Sequence, residues 1–384
     1  MTAIATYGYR GWPGLIGDLL ISGLEDPLRS AGLPTIGAVV EVFPQGSGWT
    51  ITGLRQKIAI VSDNCAVAWA GSQIGAQVAI SQIREVAQSG NLTFGNLTAI
   101  LDELDSDVSA KDVSLLGFLI QDGALHNFAR NAENDGKTLE GDIVRSAGIG
   151  GKYLFDILTR DGPGRSQPSV SEIPLAQEVY ERGLVVSGAL MRTERPSGYT
   201  LRRYYGGGYE VAVYNGERFT KGLGITYVMW DAREPDRKGF ANPTRIITYV
   251  YRDDALLIRS QELKFTSPRE FTFGEIQFHV INPIYRRCGI NELGSIADFP
   301  VTTPWIVHCF LAGRHEKLHM VTLVQQWIDR NDSDFRVTGQ NGVILRIDTK
   351  KEFWHKLAQV LENVQANAPP PTSPEDHWGL GRDA

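Results

Sequence analysis

The segment MTAIATYGYRGWPGLIGDLLI, residues 1–21, decides how the rest of the chain is read. Two short apolar runs, Ala3 to Tyr7 and Gly14 to Ile21, are separated by Gly8, Gly11 and Pro13, residue types that suit a tight connection between strands. The chain therefore opens on two strands. Thr2 stands at the head of the first, and Asp18 lies within the second.

Outward from this hairpin, Ser22 to Gly53 is less regular, and its β-rich piece IGAVVEVF reads as a hairpin or flap. KIAIV and CAVAWAG are two more strands about the turn Ser62-Asp63-Asn64. In SQIGAQVAISQIREVAQSG the residues Ile74, Val78, Ile80 and Ile83 recur at helical spacing, and Ser89-Gly90 ends the helix. A second helix is expected over Phe94 to Leu104, with Leu97, Ile100, Leu101 and Leu104 apolar. Strands return at VSLLGFLIQ and ALHNFA; IVRSAGIGG leads into the helix KYLFDIL; Pro174 to Leu190 reads as a fourth helix; GYEVAVY and GITYVMW are further strands. Hairpins alternating with helix pairs imply helices on both faces of a sheet sandwich, an α+β fold in four αββα layers.

A chain of 384 residues is long for one core and suggests two domains. The charged, Pro- and Gly-containing run DAREPDRKGFANP, Asp231 to Pro243, marks the expected boundary. The first domain would span 1–232. A smaller mixed domain over 243–365 would carry strands such as TRIITYVYR and ALLIRSQEL, with helices over Lys317 to Arg330 and Lys350 to Gln365. The tail 366–384 has the composition of a disordered segment.

Four residues give the first domain a family resemblance. Thr2 opens the first strand; Asp18 follows sixteen residues on; Lys57 starts the third strand; Gly71 lies fourteen residues after Lys57, where the fourth strand meets the first helix. In these residues, and in the order of its elements, the chain resembles the proteasome β-subunit family of N-terminal-nucleophile hydrolases, especially bacterial members that begin Met-Thr. The glycines Gly148, Gly150 and Gly151 resemble that family's turn before its third helix, although Ile149 replaces the usual serine. Tyr205-Gly206-Gly207-Gly208 stands where the family carries Asp and Ser, and the Asp18–Lys57 segment is about twice the family length.

The resemblance implies a threonine hydrolase, a peptidase or amidase, that works once loss of Met1 exposes Thr2. A threonine hydroxyl needs a base, and a free α-amine with an ordinary pKa of about 7.7–8.0 supplies one. By resemblance Thr2 is nucleophile and base, Lys57 keeps the amine neutral, Asp18 keeps Lys57 charged, and the Gly71 N–H receives the oxyanion. A non-catalytic module of the same fold, serving assembly or recognition, is the alternative. The implied partner is a peptide or amide substrate, with no cofactor, and the family's ring assembly makes a homo-oligomer an expectation.

Other classes fit less well. A net charge of -6 without a basic stripe argues against nucleic-acid binding. No run reaches the ~18 apolar residues of a membrane span. Cys65, Cys288 and Cys309 cannot all pair and form no C-x-x-C, as in a reduced, cytoplasmic protein. His315-Glu316-Lys317-Leu318-His319 matches H-E-x-x-H, a zinc peptidase signature when it lies on a helix. Lys317 inside the motif and the lack of an evident third ligand favour a solvated helix start instead. The tryptophans read as core, and Gly206 to Gly208 as a turn or bulge before a strand.

Overall fold

A computed structural model describes residues 2–24, 32–37, 48–104, 111–138, 140–159, 174–197, 201, 203, 205–222, 224–232, 242–267, 270–288, 299–300, 303–314, 317–326, 335–340 and 344–349. It is a mixed α/β chain with several sheets and few helices. In the first half β1 (Ile4–Tyr9), β2 (Trp12–Asp18), β3 (Leu20–Leu24), β4 (Trp49–Leu54), β5 (Ile58–Ser62) and β6 (Cys65–Gly71) lead to α1 (Gln73–Gln88) and α2 (Phe94–Leu104). Then come β7 (Val113–Gln121), β8 (Ala124–Arg130), β9 (Asn134–Lys137), β10 (Ile143–Ala147), α3 (Gly151–Thr159), α4 (Leu175–Ser197), β11 (Tyr209–Tyr214) and β12 (Phe219–Thr220).

Two of the resulting sheets face one another. One has the order β12-β11-β2-β1-β10-β9, the other β5-β6-β7-β8. Strand alternation decides what each face meets. In β6, Ala66, Ala68 and Ala70 pack with Ile4 and Leu15 of the opposite sheet. Cys65, Val67 and Trp69 point the other way, into a cluster with Ile80 and Ile83 of α1 and Leu97 of α2. The far side of the six-stranded sheet is covered by α3 and α4, where Leu154, Val179 and Leu184 meet Ala5, Tyr7 and Val211. The hairpin β3–β4 stands apart as a two-stranded flap, and most of IGAVVEVF lies outside the described residues.

The helix α4 is buried on two sides. A Cβ on Gly183 would fall 2.3 Å from the Tyr7 hydroxyl and 2.5 Å from Val211. A Cβ on Gly188 would fall 2.8 Å from Thr322 and 2.9 Å from Val307. Five residues apart on a helix, the two glycines look in different directions. Each lets a different sheet approach the helix backbone.

That second sheet is built from β13 (Ile225–Ala232), β14 (Asn242–Arg252), β15 (Ala255–Ser267), β16 (Glu270–Ile281), β17 (Trp305–Arg314), β18 (Lys317–Gln326), β19 (Phe335–Gln340) and β20 (Ile344–Thr349). Its order is β18-β17-β13-β14-β15-β16-β20-β19, with β13 and β17 parallel. Two sequence expectations change here. The run Asp231 to Pro243 connects β13 to its antiparallel neighbour β14, so GITYVMW belongs to this sheet rather than to the first two. The segment from Lys317 is a strand, not a helix, because it pairs with β17 from Arg314↔Lys317 to Trp305↔Gln326. The helix expected over Lys350 to Gln365 and the tail lie outside the described residues.

Candidate active site

Thr2 lies two residues before the first residue of β1 and is fully buried. Its carbonyl oxygen accepts from the Gly150 amide at 3.1 Å. A Cβ on Gly148 would stand 2.2 Å from that oxygen, so the turn closes on Thr2 only with glycine at this place. The next residue ties the strand to Asp18. The Ala3 amide donates to Asp18 Oδ1 at 3.1 Å, and the Asp18 amide donates to the Ala3 carbonyl at 3.0 Å. The Gly206 amide donates to Oδ2 at 3.0 Å. Both oxygens of this buried carboxylate are therefore oriented by the backbone.

Lys57 lies just before β5, only 1% exposed, with its Nζ 4.1 Å from the centroid of the Trp69 ring. A Cβ on Gly17 would be 3.0 Å from the Lys57 Cβ, so the small residue at this register makes room for the lysine stem. Burial pushes the Asp18 carboxyl up and the Lys57 ammonium down. Each opposes the other's shift through its charge; the Gly206 and Ala3 amides also favour the Asp18 carboxylate, and Glu210 also favours the Lys57 ammonium.

Gly71 closes β6 at φ +89°, and a Cβ there would stand 1.8 Å from the Asp112 carbonyl oxygen. The following Ser72 caps α1, its side chain accepting from the Gly75 amide at 3.2 Å. Lys57, Gly71, Ser72 and Gln73 share a cleft of about 330 Å³ with Ile21, Ser22 and Trp49 of the flap. An ammonium group and the N-terminal end of a helix thus border one space, a setting that favours negative charge. Thr2 is not among the residues lining it.

No family model matches the chain, and no curated protein does. Among solved structures, the chain is similar to eukaryotic HslV from Trypanosoma brucei. Identity is 14%, the match covers 55% of this chain and 98% of that one, and the TM-score is 0.29. Likeness at that level bears on no individual residue of the site.

Sequence reasoning missed two buried carboxylates, one coupled by charge to Lys57 and the other to Asp18. Glu210 on β11 is fully buried and pairs with Lys221 at 2.6 Å. Glu194 on α4 is buried beside the Gly206 to Gly208 turn. The signal for Glu210 was present in GYEVAVY, where one acid interrupts an apolar strand. Trp49 lines the cleft instead of joining the core, whereas Trp69 and Trp230 are core residues. Ile149 is 56% exposed in the turn beside Thr2.

The zinc reading loses its helix, since Leu318 and His319 lie on β18, while His315 and Glu316 fall outside the described residues. Two histidines four apart share one face of a helix with a geometry a strand does not reproduce. Among the described residues no group of three or more His, Cys, Asp or Glu is arranged to hold a metal ion, and no helix is long and apolar enough to cross a membrane.

Proposed function

We propose that residues up to β12 form an N-terminal-nucleophile hydrolase of the proteasome β type, with the facing sheets and outer helices as its four αββα layers. The reading rests on one observation above the rest. Asp18, bound to the backbone next to Thr2, acts electrostatically on Lys57, and Lys57 shares a cleft with Gly71. In this reading cleavage before Thr2 frees its α-amine. The amine takes the hydroxyl proton as Oγ attacks an amide carbonyl, and the Gly71 N–H stabilises the oxyanion. Collapse expels the amine product, which takes up the proton, and leaves an ester on Thr2. Water, deprotonated by the same amine, then releases the acid. Lys57 as an ammonium would hold the amine neutral, and Asp18 would hold Lys57 charged. The substrate class is a peptide or simple amide, and a cytoplasmic homo-oligomer accords with the family.

One observation favours a non-catalytic module of the same fold: Thr2 is fully buried and does not line the cleft. Intact mass of the purified protein, with hydrolysis of a peptide-library substrate, separates the two. Thr2 as the first residue together with turnover supports the hydrolase. A chain that keeps its residue before Thr2 lacks the base and supports the module.

A further inference from the structure

The start of β5 is held by a buried polar strap. Since β5 is the edge of its sheet, the backbone groups of Ile58 that point away from β6 need partners from elsewhere. Glu210 and Lys221 provide them. Glu210 Oε1 accepts from the amides of Lys57 and of Ile58, the latter at 2.6 Å. Its Oε2 pairs with Lys221 Nζ at 2.6 Å and accepts from the Tyr251 hydroxyl at 3.3 Å. Lys221 Nζ also donates to the Ile58 carbonyl at 2.5 Å and to Gln56 Oε1 at 2.6 Å. The Gln56 amide nitrogen donates to the carbonyls of Asp254 and Ile281, both at 2.7 Å. A chain of hydrogen bonds thus runs from the β14–β15 turn and the end of β16 to the backbone of Lys57.

We propose that Glu210 is a positioning residue for Lys57, with Lys221 balancing its charge and Gln56 anchoring the assembly to the eight-stranded sheet. A buried ion pair is weak evidence for stability, since apolar groups of similar volume often serve as well. Here Glu210 holds the Lys57 and Ile58 amides and Lys221 holds the Ile58 carbonyl and the Gln56 side chain, which an apolar pair could not do. Lys57 also feels the Glu210 charge directly, alongside Asp18 from β2 and the opposing charge of Arg55. The chemical importance of placing Lys57 rests on the hydrolase reading; the electrostatic coupling does not.

The test is the pH midpoint of Lys57 in the full chain, followed by NMR of 13Cε-labelled lysine and assigned with Lys57→Gln. Glu210→Gln keeps a carbonyl acceptor but leaves Lys221 uncompensated, so the Lys57 midpoint should fall by about one pH unit. Lys221→Met leaves the Glu210 charge uncompensated, so the midpoint should rise by a similar amount. The double variant should return close to the parent. A merely structural pair would not move the two singles in opposite directions; shifts of the same sign, or none, overturn the proposal. If Glu210→Gln does not fold, the upward shift in Lys221→Met decides alone. Thr2 that is never freed, or a chain without turnover, defeats the hydrolase reading and leaves this measurement untouched.

Discussion

Thr35 and Glu194, 159 positions apart, are joined by a hydrogen bond of 2.5 Å from Oγ1 to Oε2. Thr35 sits in a turn closed by reciprocal backbone bonds between Leu33 and Gly37, at 2.8 and 2.7 Å. Leu33 is fully buried with Leu20 and Ile51 of the flap. Ser260 of β15 donates to the Pro34 carbonyl at 2.5 Å. One turn therefore ties the flap that borders the cleft to α4 and to the eight-stranded sheet.

Stability should fall as pH rises through the neutral range because of Glu194. Burial pushes its carboxyl from the ordinary 4.5 up to about 8, against the opposing effects of the Thr35 hydroxyl and the Gly207 amide. Between those values the folded chain binds a proton that the unfolded chain has released. The Glu194 contribution is thus complete below the lower value and is lost as pH climbs to the upper one, at up to about 1.4 kcal/mol per pH unit. Glu194→Gln should flatten that part of the profile and be more stable than the parent at about pH 8. Denaturant midpoints across the range check it, and parallel profiles for the two proteins would rule it out.

Gly188→Ala should destabilise the chain although alanine is the better helix former. The gain in helix propensity is about 1 kcal/mol. Overpacking in a filled core costs about 1–3 kcal/mol, and the new methyl would meet the stiff β-branched side chains of Val307 and Thr322 at 2.9 and 2.8 Å. The packing term wins. A raised denaturant midpoint would mean that the eight-stranded sheet does not press on α4 at this residue.

Asp18→Asn should cost about 1–3 kcal/mol, since the new NH2 must face one of the two amide donors and leave it unpaired. It also removes the charge that supports the Lys57 ammonium. Combined with Lys57→Met, the loss should be smaller than the sum of the singles. Additivity within about 0.3–0.5 kcal/mol in unfolding experiments would show that the pair is not coupled.

Thr2→Ala should abolish hydrolysis and keep the fold, at a cost of about 1–2 kcal/mol for the buried methyl and hydroxyl it removes. Gly71→Ala should impair both. Its φ of +89° and the 1.8 Å approach to the Asp112 carbonyl force the backbone to move where the oxyanion would sit. Full turnover in a Thr2→Ala protein with a free residue 2 would end the threonine mechanism, and an unperturbed Gly71→Ala would remove the oxyanion assignment.

Local pattern determined much of the first half. Short apolar runs bounded by turn residues announced β1, β2, β5 and β6, and apolar residues at helical spacing announced α1 and α2, because run length and 3.6-residue periodicity are properties of a single segment. The spacing of Thr2, Asp18, Lys57 and Gly71 was likewise visible, although their distances were not. What the sequence left open depends on partners far along the chain. α4 reads as an outer helix until its second face, marked by Gly188, meets β17 and β18. Residues 317–326 carry no strong local period, and only pairing with β17 makes them a strand. β13 looks like the last strand of the first unit, yet its hydrogen bonds go to β14 and β17. Glu210 is one acid in an apolar strand until the edge of β5 arrives beside it. A segment's own residues record how much of it is buried; which element buries it is settled by long-range pairing and packing, where tertiary context overrides local preference.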